Sequence, residues 1–248
     1  MNYIIFDLEF NQDFSSFQNT DVKSAKYPFE IIQIGAVRLD SELNKSGEFN
    51  RYVKPAIYHE INPFITELTG ITMDQLENEE PFSNVFASFI EFINGADSVF
   101  CIWGMSDIKE LYRSAEYNKL DNSVLPKKFI NLQPFVSKHL NLPSKQLLRL
   151  QHAVEALDIP VTNGFHNAFY DALYTSEIFK KIYNDSIEPK LYDPFYIKPR
   201  IRQVRKEIDF DGLLQQFEKM YERKMSEEEQ GIIKLAYRMG RTNQFLKP

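Results

Sequence analysis

Apolar residues run unbroken from Tyr3 to Phe6, and then acids alternate with apolar positions through Asp7, Leu8, Glu9 and Phe10. The β-branched and aromatic bias of the run predicts a buried strand. On a strand Asp7 and Glu9 point the same way, about 6.6 Å apart. A charge is expensive to bury unless it is paired, hydrogen-bonded or bound to a metal. Either the strand ends before Asp7, or something cationic sits on that face.

The pattern predicts the remaining elements in order. Asn11 to Lys26 is polar and reads as a surface loop close to the carboxylates. Glu30–Leu39 is a second strand, and after a turn around Ser41–Ser46 a third returns over Glu48–Val53, giving an antiparallel meander. Pro55 and Pro63 break the next segment, and Thr72 to Gln75 has capping-box spacing and opens a helix. Pro81 begins another, with Phe82, Val85, Phe86, Phe89, Ile90 and Ile93 at helical spacing. Ser98–Trp103 is a fourth strand ending at Gly104, Ile108–Tyr117 is helical, and Lys128–Leu132 is a fifth strand running into a helix near Pro134. Ser144–Leu157 reads as an amphipathic helix, and Asn163–Gly164 punctuates the chain before a strong helix over Ala168–Tyr183.

A meander followed by strands alternating with helices predicts an α/β fold over residues 1–183, three layers around a five-stranded mixed sheet. The texture changes after Asn184. Pro189, Pro194 and Pro199 mark an extended connector. Helices follow at Phe210–Tyr221 and Ile232–Met239, the second capped by Ser226 to Glu229, so residues 184–248 form a helical extension.

Composition narrows the class without naming a function. With 43% hydrophobic and 26% charged residues the chain is an ordinary globular one rather than a disordered one. No apolar run nears the roughly 18 residues that cross a membrane. The N-terminus enters a strand without the basic and apolar regions of a signal peptide. The single cysteine, Cys101, lies in an apolar run as a core residue and fits a reducing cytoplasm. A net charge of −6 argues against a protein that coats nucleic acid, though not against an enzyme that grips one chain end. Only nine glycines and no phosphate-cradling loop leave a phosphotransferase without support.

Three further residues give the first two acids a context. Asp107 follows the fourth strand at its carboxyl end, where sites in α/β sheets gather. His166 and Asp171 flank the start of the strong late helix. On one ideal helix they would lie about 140° apart, so they converge only if His166 precedes the helix and Asp171 lies on its first turns. Singly, each has a bland reading: a solvated strand end for Asp7 and Glu9, an N-cap for Asp107, a loop histidine, a first-turn acid for Asp171.

Together, in this order, they resemble the DEDDh family of 3′-to-5′ exonucleases, the DnaQ and RNase T group of the ribonuclease H-like fold. Phe6-Asp7-Leu8-Glu9, then Asp107, then His166 and Asp171 match its motifs. Glu30 to Val37 resembles its second strand, and Leu68-Thr69-Gly70-Ile71-Thr72 a loop ahead of its fourth. Trp103-Gly104 and Leu132-Gln133 look most like the Eri-type RNA exonucleases and bacterial relatives, among them an inhibitor of a sporulation-kinase pathway. The similarity covers about residues 1 to 183.

The resemblance implies two Mg²⁺ or Mn²⁺ ions about 4 Å apart, a pair suited to in-line displacement at phosphorus. It implies that Asp7 bridges both ions, that Glu9 and Asp171 hold the one carrying the attacking water, and that Asp107 acts largely through metal-bound water. His166 would accept the water's proton as general base. The partners would be 3′ ends of RNA or single-stranded DNA, and the products 5′-mononucleotides. Where many relatives have Thr-Thr-Gly after the glutamate, this chain has Phe10, Asn11 and Gln12. These three and Thr69 are candidates for holding the terminal nucleotide. Phe10 reads equally as a base-stacking ring or a core aromatic.

Lys198, Arg200, Arg202, Arg205 and Lys206 form the densest basic run, which suits substrate phosphates or a solvated face. Lys145 and Arg149 are lesser candidates for the same role, and His59, His139 and His152 read as structural. The apolar stripe of Leu213, Leu214, Phe217 and Tyr221 suits packing on the first domain, a homodimer or a protein partner. The rival function class is a regulatory module that keeps the fold and acts through a partner.

Overall fold

The computed structural model describes residues 1–12, 29–93, 97–143, 145–194 and 208–241. Its strands are β1 (Asn2–Gln12), β2 (Phe29–Leu39), β3 (Lys45–Tyr52), β4 (Ser98–Ile102), β5 (Lys128–Asn131) and β6 (Lys190–Leu191). The helices, in chain order, are α1 (Pro63–Thr69), α2 (Met73–Leu76), α3 (Phe82–Ile93), α4 (Ser106–Tyr117), α5 (Gln133–His139), α6 (Leu150–Ala156), α7 (Ala168–Ile182), α8 (Phe210–Tyr221) and α9 (Glu227–Arg241).

Strand order across the sheet is β3-β2-β1-β4-β5-β6, so the acid-bearing strand lies inside it. β1, β2 and β3 form the expected antiparallel meander. β4 runs parallel to β1 and β5 parallel to β4, which brings the carboxyl ends of β1 and β4 to the same edge. Five strands were expected and the sheet has six. The extra strand, β6, pairs antiparallel with β5 through only two residues, too few for an alternating pattern to register.

Alternation along β1 divides the core into two layers. Ile4, Phe6 and Leu8 enter a cluster with Val85, Phe86 and Phe89 of α3 and Ile108 and Leu111 of α4. Phe6 lies 4.7 Å from Phe100, ring centre to ring centre, inside that layer. Tyr3 and Ile5 enter the other, with Val37, Cys101, Val154, Ala172 and Phe179. Continuing the alternation puts Asp7 and Glu9 on the second face, which α7 covers.

Local differences from the sequence pattern have identifiable causes. Pro63 starts a helix instead of only breaking one: it occupies the first turn of α1, Asn62 caps it, and Gly70 closes it at φ 75°. The helix expected from Ser144 begins only at Leu150. The carbonyls of Gln146 and Leu148 accept from Ser137 Oγ (2.6 Å) and Gln133 Nε2 (3.2 Å), which holds that stretch out of a helical ladder. Asn11 and Gln12 belong to β1 rather than to a loop. The rest of that loop, and the basic run at Lys198–Lys206, lie outside the described residues.

The chain divides into two compact units, Met1–Tyr196 and Ile197–Pro248. The first extends past residue 183, with Ile187 buried in the second core layer and the Tyr192 ring tilted against that of Tyr112, centroids 4.8 Å apart. In the second, Glu222 ends α8 in the left-handed region, and Arg223 pairs with Glu229 at 2.6 Å. Ser226 and Glu229 then exchange hydrogen bonds at the start of α9, the capping pair legible in the sequence.

Candidate active site

Four carboxylates meet where β1 and β4 end. Asp7 and Glu9 come from β1, Asp107 from the first turn of α4 directly after β4, and Asp171 from the first turn of α7. Carboxylate oxygens of Asp7, Glu9 and Asp171 lie within 4.8 Å of one another. Asp107 stands outside that trio yet near enough for its charge to act on both Asp7 and Glu9.

Electrostatics make this a strained assembly. Burial, followed by the charges of Asp107, Glu9 and Asp171, holds Asp7 well above the ordinary carboxylate range. Burial pushes Glu9 up to about 8, with Asp171 and Asp107 adding to it. Asp107 rises to about 7, mainly through burial, although its own amide and that of Leu8 pull the other way. Asp171 rises to about 6 through burial, against the hydrogen bond from the His166 amide. Like charges desolvated together favour protonation unless a cation neutralises them.

Asp171 supplies a second sign of an acceptor waiting for a cation. Its Oδ2 accepts from the His166 N–H at 3.1 Å, while Oδ1 is buried with no hydrogen-bond partner among the described residues. Orphaned buried oxygens are rare in folded proteins. An all-carboxylate set of this spacing fits a hard divalent ion such as Mg²⁺ or Mn²⁺. His166 lies in the loop ahead of α7, exposed and in the left-handed region at φ 65°. His166 therefore sits in the loop and Asp171 on the first turn of the helix, as their spacing requires, and the contact between them is made by the backbone amide of the histidine.

Two residues of β2 hold the start of α7 in place. A Cβ on Gly35 would fall 2.1 Å from Phe169 N and 2.2 Å from Ala168 C, so only glycine lets the helix backbone rest there. Gly35 is the register partner of Asp7, so this contact sets the distance between Asp7 and Asp171. Beside it, the buried Gln33 accepts from the Ala168 N–H (3.2 Å) and donates to Asn50 Oδ1 (2.9 Å). Asn167 caps the helix, accepting from Phe169 N–H at 3.2 Å. In the sequence these supports carry one mark, Gly35 itself, since a glycine inside a strand signals close backbone approach.

The candidates for holding a nucleotide are placed unevenly. Phe10 follows a β-bulge after Glu9, packs against the first core layer and lies 5.8 Å from the Phe29 ring. Asn11 is buried, its amide donating to Glu60 O (2.9 Å) and its carbonyl accepting from Asn62 N–H (3.0 Å). The Gln12 carbonyl accepts from Asn62 Nδ2 at 3.3 Å. Thr69 Oγ1 donates to Ile65 O and accepts from Ile71 N–H, closing α1. Asn11 thus ties the end of β1 to α1. His59, His139 and His152 lie exposed, outside the trio.

An α/β sheet with acids gathered at the ends of its central strands and one helix start is the architecture of a metal-dependent nuclease domain. The pattern of the RNase T exonuclease family matches residues 4–179, and the chain belongs to that family. The 3′-5′ exoribonuclease 1 of Mus musculus is 26% identical over 177 residues, covering 67% of this chain and 50% of that protein. The 3′-5′ exonuclease crn-4 of Caenorhabditis elegans is 25% identical over 192 residues, covering 72% and 64%. The chain thus spans about half the length of the first of these relatives. The nuclease domain of 3′hExo, a DEDDh family member bound to rAMP, shares the fold with a TM-score of 0.63 at 23% identity, covering 77% of this chain and 96% of that one.

Proposed function

We propose that this chain is a metal-dependent exonuclease that removes 5′-mononucleotides from the 3′ ends of RNA or single-stranded DNA. The observation that carries the reading is the trio of Asp7, Glu9 and Asp171 within 4.8 Å, with one Asp171 oxygen buried and unpartnered among the described residues. Asp7, Glu9 and Asp171 would hold two divalent ions, Mg²⁺ or Mn²⁺, with Asp107 supporting them from outside the trio. Such ions, when bound, neutralise charge on the phosphate and lower the pKa of coordinated water.

The chain's own residues supply the rest. His166, exposed beside Asp171, takes the proton of the attacking water as general base. Asp171 keeps that histidine's backbone in register through the 3.1 Å bond from its amide. Phe10 and Gln12, half-buried at the end of β1, border the terminal nucleotide, while Asn11 and Thr69 hold the neighbouring backbone that receives it. No helix among the described residues is long and apolar enough to cross a membrane. The buried free thiol of Cys101 suits a reducing cytoplasm, to which we assign the protein.

The test is incubation of wild type and Asp7→Ala with 5′-labelled single-stranded RNA and DNA, in Mg²⁺ and then in EDTA. The expected outcome is stepwise 3′ shortening that EDTA or Asp7→Ala abolishes. Absence of shortening by wild type, or equal shortening by Asp7→Ala, refutes the reading. His166→Ala is expected to lower turnover roughly 10²–10⁴-fold, as loss of a general base does. Calorimetry should find metal binding near wild type in that variant.

A further inference from the structure

The loop that delivers His166 leaves the second core layer at Ile159, whose N–H is bonded to Val154 O at 3.0 Å. It rejoins the fold at Asn167, the cap of α7. Between those points a cleft of about 520 Å³ separates Pro160 and Thr162 from Leu173, Glu177 and Lys180 on α7. Ile159 and Phe165 pack on the second core layer at the two ends of the loop, while the stretch between them borders this cleft and depends on specific ties.

Those ties converge on one atom. Among the described residues, the hydrogen bonds that join residues 160–165 to α7 all end at the Tyr174 hydroxyl. It accepts from the Thr162 N–H at 3.1 Å and the Asn163 N–H at 2.8 Å, and donates to the Asn163 carbonyl at 2.7 Å. One donor and two acceptor sites are all a hydroxyl has, so this one is saturated by the loop. The Phe165 ring packs on the Tyr174 ring with centroids 5.0 Å apart. The next residue is His166, in its left-handed conformation, with its amide on Asp171. Asp171 and Tyr174 are three positions apart and share one helix face.

We propose that Tyr174 is a positioning residue for His166: its hydroxyl fixes the loop so that the imidazole is presented beside Asp171. The inference rests on the exonuclease reading for its catalytic consequence, though not for the tether itself. Tyr174 lies outside the carboxylate trio. Removing its hydroxyl turns three backbone groups toward a cleft wide enough for water to satisfy them. The fold survives that change, while the loop is released.

The experiment uses Tyr174→Phe in the full chain, which keeps the ring and deletes the hydroxyl. Turnover on 5′-labelled single-stranded RNA is expected to fall about ten- to a hundredfold, the scale of a misplaced catalytic group. KM and Mn²⁺ affinity stay near wild type. In a His166→Ala background the same substitution has no further effect. In metal-free protein the amides of Thr162, Asn163 and His166 exchange with solvent at least about tenfold faster. Wild-type turnover in Tyr174→Phe, or an equal loss in the His166→Ala background, overturns the proposal. So does unchanged exchange at the His166 amide. Should wild type cleave nothing, the exonuclease reading falls, and exchange at His166 alone decides whether the tether exists.

Discussion

Asp171 concentrates the electrostatic problem of this site in one side chain, with one oxygen on an amide and the other buried without a partner among the described residues. Its neighbours share the problem, and that gives a signed pH dependence. Ordinary carboxyls titrate at about 4. In the folded chain Asp171 is raised to about 6, Asp107 to about 7 and Glu9 to about 8. Between pH about 4 and about 8 the unfolded chain has therefore released protons that the folded chain keeps, so stability declines as pH rises through that window. Metal-free protein in EDTA is expected to melt several degrees lower at pH 8 than at pH 5, at roughly 2–4 °C per kcal/mol for a chain of this size. Millimolar Mn²⁺ should recover most of the loss at pH 8 by binding only the folded form. A melting temperature that climbs with pH in EDTA would mean that these acids are not desolvated together.

At the scale of elements, the site depends on α7 starting directly upon β2. Gly35→Ala places a methyl carbon 2.1–2.4 Å from the Ala168–Phe169 backbone, which has no side chain to swing aside. Helix and strand must separate, carrying Asp171 away from Asp7. Overpacking typically costs ~1–3 kcal/mol, and backbone contact puts this variant at the upper end. The expected result is a lower melting temperature together with weakened Mn²⁺ binding by calorimetry. Wild-type values of both would remove Gly35 from the site's support.

This contact also marks where reading the sequence stops. The strand parity of Asp7 and Glu9 and the loop-to-helix spacing of His166 and Asp171 are local, so period alone carries them. Gly35 meets residues more than 130 positions away, and nothing in the text Glu30–Leu39 says which element lands on it. The same holds for Asn11, whose polar side chain looks like loop until the 60–62 backbone closes over it. The late start of α6 is a third case. Ser144–Arg149 has helical texture, and it is the side chains of Gln133 and Ser137, on another element, that take its carbonyls.

For the whole molecule, the question is where the catalytic unit ends. All four site acids, both core layers that flank them and the Tyr174 tether lie within Met1–Tyr196. A boundary after residue 183, the one suggested by the change in sequence texture, would discard Ile187 and Tyr192. Ile187 is 6% exposed in the second core layer, and Tyr192 packs between Tyr112 and Phe129 while its N–H bonds Lys127 O at 2.7 Å. Losing a large buried side chain costs about 2–5 kcal/mol, so a fragment of residues 1–183 should melt well below one of residues 1–196. We propose residues 1–196 as the autonomous exonuclease unit, expected to fold cooperatively and to bind Mn²⁺ as the full chain does. Its turnover on a short single strand should stay within about threefold of wild type, since the four acids and His166 are all retained. The basic run from Lys198 to Lys206 is lost in the same cut. If that run grips the substrate strand, KM for longer RNA rises in the fragment, and its salt dependence flattens because each phosphate contact contributes to the slope. An unchanged KM and salt slope would instead leave the run as a solvated face, with the extension free to serve a second copy or a protein partner.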